Sequence, residues 1–161
     1  MTLSELRSIS CCFTGHRIIK SSHSEHIHDI VYDKIVELHR QGYINFLTGG
    51  ALGFDTVSAQ CVLRAKQIFP SIRLILVLPC ISQAAKWNNE DVLTYEIIKS
   101  MADKVIYIEK EYTNDCMFKR NRFLVDYTSI CVSYQYKNSG GTAYTTKYAR
   151  SKNLKLYNLC K

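Results

Sequence analysis

Two pairs of adjacent glycines stand where a chain could hold a phosphate. "TGGALGFD", Thr48 to Asp55, and "SGGTAYT", Ser139 to Thr145, each join a strand-like apolar run to a helical pattern. Glycine removes the side chain that would keep a phosphate off the main chain, and the helix that follows aims unpaired N–H groups and its positive dipole end at the same space. Gly49, Gly50 and Gly53 in the first loop, and Gly140, Gly141 and the Thr142 hydroxyl in the second, are therefore candidate ligand-binding residues. A tight turn accounts for either loop alone, but two in equivalent places are a stronger signal. Asp55 falls in a first helical turn, where the dipole favours an acid without any function. It can equally accept a hydrogen bond from a ribose hydroxyl or a ligand amine.

Other polar groups follow other apolar runs. "TGHR" offers Gly15, His16 and Arg17, and "CMFKRNRFLVD" offers Arg120, Asn121 and Arg122. Arginine matches phosphate oxygens bidentately, so Arg17 and Arg120 are assigned to a pocket, with Asn121 beside them to read a hydroxyl or base edge. Arg122 is assigned to a solvated face, where Asp126, four residues on, can pair with it. His16 can touch a phosphate or move a proton, although a histidine with no identified partner is more often structural. Gln83 and Trp87 in "PCISQAAKW" can read and stack on a nucleobase, or form a packed lid. His23, His26 and His28 have no carboxylate or cysteine placed to complete a metal set, so no metal is expected, and no cofactor is called for.

These residues need elements that bring them together. "SISCCFTG", "YINFLTGG", "IRLILVLPC", "DKVIYIE", "TSICVSYQY" and "LKLYNL" are short runs rich in branched and aromatic residues, several ending at Gly or Pro. Between them lie helical spacings. The first begins at Ser22, which has capping-box spacing to Glu25, and continues through Ile27, Ile30, Val31, Ile35 and Leu38 to Gly42. Others run from about Gly53 to Pro70, Glu90 to Ala102, Asn114 to Tyr127 and Thr142 to Lys152. Uninterrupted apolar strands such as "LILVL" imply a sheet covered on both faces. The expectation is an α/β fold: a mostly parallel, doubly wound sheet with helices on both faces, in which ligands bind beyond the carboxyl ends of the strands.

The chain of 161 residues, 47% hydrophobic and 22% charged, suits one domain over residues 1–161. No apolar run reaches the roughly 20 residues that span a bilayer, so no membrane partner is expected. The first ten residues lack the pattern of a secretory leader, and a cytoplasmic location is expected. Seven cysteines without zinc-type spacing, four of them (Cys11, Cys12, Cys80, Cys131) in or beside apolar runs, suit reduced core thiols. A formal charge of +7 favours an anionic partner without choosing among a nucleotide, a nucleic acid and the general pool of polyanions.

"GHR", "GGALGFD", "P…Q…W", "RN…VD" and "SGGT", in this order over about Cys12 to Leu156, resemble the YpsA-like (DUF1273) branch of the SLOG superfamily. That is the Rossmann-like group containing the cytokinin-activating LOG enzymes and the DNA-processing protein DprA. The resemblance implies a nucleotide or nucleotide-derived ligand at the strand ends, with Gly15, Arg17, Gly49, Gly50, Asp55, Arg120, Asn121, Gly141 and Thr142 around it, and implies self-association as a homo-oligomer. LOG-type phosphoribohydrolases carry PGGxGTxxE. Aligning its GT on Gly141 and Thr142 puts Thr145 where the catalytic glutamate would be, and the leading proline is replaced as well. A threonine has no suitable pKa for acid or base work at neutral pH. The first expectation is thus a nucleotide-binding sensor or regulatory module. A phosphoribohydrolase (N-glycosidase) using Asp55 is the second, and a DprA-like binder of single-stranded nucleic acid the third.

Overall fold

The computed structural model describes residues 1–161. Its elements run α1 (Leu3–Ser8), β1 (Ser10–Gly15), α2 (Ile27–Arg40), β2 (Asn45–Thr48), α3 (Phe54–Ile68), β3 (Arg73–Leu78), α4 (Asn89–Met101), β4 (Lys104–Tyr107), α5 (Cys116–Asp126), β5 (Ile130–Tyr134), α6 (Gly141–Ser151) and β6 (Lys155–Asn158). The six strands form one sheet in the order β4-β3-β2-β1-β5-β6, and every neighbouring pair is parallel. The chain winds outward from β1 to β4, then crosses back to β5 on the other side of β1. The winding direction therefore reverses between β1 and β5, the place where an open α/β sheet leaves a crevice.

Alternation along each strand sorts side chains to two faces. Cys11 and Phe13 point to the face covered by α2, α3 and α4, where they join Phe46, Leu74, Leu76, Leu78, Ile130, Val132 and Tyr134 under Val31, Ile35, Leu38, Phe54, Val62, Tyr95 and Ile98. Cys12, between them, points to the α5 and α6 face with Leu47, Val77, Cys131, Leu124, Val125 and Ala149. Each fully buried large aliphatic or aromatic side chain contributes roughly 1.5–3 kcal/mol relative to exposure, so the two-faced burial, and no single bond, holds the sheet between its helices. Six of the seven cysteines are buried and all seven are free thiols. No helix is long and apolar enough to cross a membrane.

Two local expectations are corrected. The first long helix opens at Ile27 after His26, not at Ser22, and residues 21–26 form turns. The reason is His23: its Nδ1 lies 2.6 Å from the Tyr134 hydroxyl and its carbonyl accepts the Ile27 N–H at 2.9 Å, which ties the segment to the end of β5. Arg122 and Asp126 do not pair. Arg122 donates to the Tyr144 hydroxyl at 2.8 Å, and Asp126 accepts from Tyr148 at 2.7 Å, because α6 offers both side chains a nearer partner.

Candidate functional site

A cleft of about 680 Å3 opens beyond the carboxyl ends of β1 and β5. The loop after β1 supplies Gly15, His16, Arg17 and Ile18; the β2–α3 connection supplies Ala51 and Asp55; α5 supplies Met117, Arg120, Asn121 and Leu124. The loop after β5 supplies Tyr136, Lys137, Ser139, Gly140, Gly141 and Thr142. The two glycine loops belong to strands that flank β1, which is why both reach one cleft.

Their glycines nevertheless do different things. A Cβ on Gly49 would lie 2.5 Å from the Arg120 guanidinium, and one on Gly50 2.5 Å from Leu78. Gly53, at φ +79°, would meet the Arg17 carbonyl. These three glycines pack the β2–α3 turn against its neighbours and do not line the cleft. Gly140 and Gly141 do line it. A Cβ on Gly140 would meet nothing within 4 Å, and one on Gly141 only the Asn121 amide at 3.8 Å. Gly140 caps α6 without a side-chain hydrogen bond, so the helix presents its first N–H groups beside Thr142.

Asp55 and Arg120 form the buried end of the cleft, each 6% exposed. One Asp55 oxygen accepts the Ala51 N–H at 3.2 Å. Burial raises its pKa to about 6, and the nearby Arg120 charge opposes that rise without cancelling it. Burial likewise lowers the pKa of Arg120. The guanidinium donates to Asn121 Oδ1 at 2.8 Å and to the Gly49 carbonyl, but makes no ion pair with Asp55. Desolvated ionisable groups with shifted pKa values in a cleft are candidates for a functional site.

His16 has a defined task. Its Nε2 accepts the backbone N–H groups of Tyr136 at 3.0 Å and Lys137 at 3.1 Å, which requires that nitrogen to be unprotonated. Its own carbonyl accepts the Phe54 N–H at 3.1 Å. It thereby staples the β1, β5 and α3 connections together, and burial with the Lys137 charge lowers its pKa. Arg17 is exposed, faces the cleft and has no hydrogen-bond or ion-pair partner. Gln83 lines the cleft too, but its amide is engaged at both ends, with the Gly49 carbonyl and the Tyr95 hydroxyl at 3.4 Å each. Trp87 lies edge-on to Tyr95 at 5.2 Å, with part of its ring on the cleft wall. Thr145 does not reach the cleft: it is fully buried and donates to the Gly141 carbonyl at 2.9 Å.

Tyr136, Lys137 and Met117 were absent from the residues singled out in the sequence. The signal for the first two was the end of β5 at Tyr134, which places everything from Gln135 onward in the connection that walls the cleft.

The family model described as the YspA SLOG family matches residues 12–159, from within β1 to just beyond β6. The chain belongs to that family. An uncharacterised SPbeta prophage-derived protein, YoqJ, of Bacillus subtilis strain 168 is 27% identical over 123 residues, covering 69% of this chain and 72% of that protein. A UPF0398 protein of Bacillus pumilus is 26% identical over 121 residues, covering 73% of this chain and 65% of its own. Among solved structures, DNA processing protein A of Helicobacter pylori, described by its single-stranded DNA binding mode, superposes with a TM-score of 0.65 at 18% identity. DprA of Streptococcus pneumoniae gives 0.66 at 13%. Each alignment covers 96% of this chain, which spans 65% of the Helicobacter chain and 51% of the Streptococcus one. At such identities the likeness shows the fold alone.

Proposed function

We propose that this SLOG chain binds a nucleotide or nucleotide-derived small molecule in the β1/β5 cleft and acts as a sensor or regulatory module. One observation carries the reading: an uncapped helix start with open space at Gly140 and Gly141 shares a cleft with a partnerless Arg17 at its mouth and the buried Asp55 at its base. Phosphate sits at the start of α6, on the free N–H groups and the Thr142 hydroxyl, with Arg17 as the cation. The ribose or base end lies toward Asp55, as acceptor, and the Asn121 amide. Trp87 flanks the base. Thr145, aligned with the LOG-type glutamate, is turned into its own helix.

Thermal melts of the purified chain with AMP, ADP-ribose and cyclic dinucleotides, followed by mass spectrometry of each ligand, test this. The expected result is a raised melting temperature with ligand recovered intact, and a smaller shift in Arg17→Ala. No shift with any of them at millimolar concentration removes the reading.

A second reading has its own support. A carboxyl raised to about 6 in a desolvated pocket can hold or release a proton near neutral pH, as a general acid or base must. An N-glycosidase acting through Asp55 predicts free base in the same mass spectra, and Asp55→Asn that binds AMP but releases none.

A further inference from the structure

Charge is distributed unevenly along this chain. Residues 1–115 carry twelve Lys and Arg against thirteen Asp and Glu, whereas residues 116–161 carry nine against one, Asp126. The whole positive excess therefore belongs to α5, β5, α6, β6 and their connections. Ion pairing does not remove it. Of those nine cations only Lys119 has acidic partners, Glu109 and Asp115, both from the preceding loop, and Asp126 accepts from Tyr148.

Aromatic side chains run through the same region. α5 and α6 lie side by side, and their outer seam brings Phe118 and Arg122, one turn apart, against Tyr144 and Tyr148, also one turn apart. Phe118 meets Tyr144 edge-on at 4.7 Å, Arg122 donates to the Tyr144 hydroxyl at 2.8 Å, and the Lys152 ammonium stands 5.5 Å from the Tyr148 ring centre. Lys147 is exposed on the same helix. Phe118 is 42% exposed, and its neighbour Met117, 36% exposed, lines the cleft. A single exposed phenylalanine is ordinary. This one begins a strip of rings and unpaired cations that leaves the cleft mouth and follows α6, about 16 Å at 1.5 Å per residue.

We propose that the outer α5–α6 face binds single-stranded nucleic acid, with phosphates along Arg122, Lys147 and Lys152 and bases stacked on Phe118 and Tyr144. The charge complements a phosphate backbone, and the exposed Phe118 ring, with the half-buried Tyr144 ring beside it, complements base faces, which only an unpaired strand offers. An acidic peptide would match the cations and leave the rings unused. The inference does not rest on ligand binding in the cleft.

Fluorescence anisotropy of the intact chain with a 5′-labelled mixed-sequence 20-mer, as single strand and as duplex, tests it. Preference for the single strand is expected. Phe118→Ala should weaken binding at least about fivefold, the loss of one stacked base, and Phe118→Tyr should restore it. Lys147→Gln with Lys152→Gln should shrink the slope of log affinity against log salt by roughly 0.7 per lysine. These side chains are exposed, and melting curves of each variant check that the fold is kept. Asp55→Asn and saturating AMP should leave oligonucleotide binding unchanged, so failure in the cleft and failure here are separable. The proposal is overturned by absent binding, by competition from AMP, by equal affinity for inorganic polyphosphate, by an indifferent Phe118→Ala, or by binding to phosphatidylserine vesicles but not to the strand.

Discussion

The β2–α3 and β5–α6 connections share a sequence signal, adjacent glycines between a strand and a helix, and use it for opposite ends. In the first, the missing side chains are replaced by neighbours: the Arg120 guanidinium, Leu78 and the Arg17 backbone fill the places where Cβ atoms would stand. In the second, the places stay open toward the cleft. A glycine pair thus marks a close approach by the protein itself, a left-handed backbone such as that of Gly140 at φ +92°, or a vacancy for something else, and only the surrounding structure separates them.

Substitution separates them sharply. Gly53→Ala forces an L residue to φ +79° and into the Arg17 carbonyl, so a loss of about 3–5 kcal/mol is expected from strain and overpacking together. Urea unfolding measures it, and a near-neutral result would mean that the turn can move aside.

Asp55→Asn, at the helix start beside that packed loop, is expected to act in the other direction. A carboxyl raised from 3.8 to about 6 makes the folded state hold its proton longer than the unfolded chain does. Its contribution to stability is complete below about 3.8 and is lost as pH rises through about 6. The variant should therefore be more stable than the parent at pH 8, by about 3 kcal/mol from the size of that shift, and the advantage should vanish near pH 4. Melting curves across pH read this directly.

His16→Ala leaves two backbone N–H groups without their acceptor and is expected to cost about 1–2 kcal/mol. His16 has the reverse pH sign. Its lowered folded pKa makes its contribution complete above about 6.5 and lost as pH falls below that value. A His16→Gln variant, whose side-chain carbonyl can accept, should recover part of the loss and be flat over this range. Parent and Gln variant showing the same slope would exclude the histidine as its source.

Gly141→Ala has the smallest expected effect on the fold. Its Cβ meets only Asn121 at an ordinary distance, and alanine is the better helix former, so stability should change by less than about 1 kcal/mol. The same methyl intrudes on the vacancy at α6, so the shift with AMP should shrink. Paired with Gly53→Ala, it tells a packing glycine from a cradle glycine in one experiment.

The alternation of strand and helix was legible because each element buries one side, and burial leaves its period in the sequence. α1 buries no residue and left no such trace. The start of α2 was misplaced because Ser22 and Glu25 have the right spacing for a capping box, while His23 answers to Tyr134, 111 residues away. Strand adjacency was illegible as well. Nothing local to β1 says that it lies between β2 and β5, and that placement alone decides that Arg17, Asp55 and Thr142 share a cleft. The roles of Gly49 and Gly53 were hidden for the same reason, since the atoms that need their empty space come from α5 and from the β1–α2 loop.

The buried thiols supply a gauge for the folded state. Cys160 is the one cysteine with appreciable exposure, and the other six lie inside the layers. The reactive species is the thiolate, and burial pushes the Cys61 thiol up to about 12. A thiol reagent should label one site promptly and the rest only as the layers part, so mass spectrometry of the labelled chain counts openings from within, without any added probe.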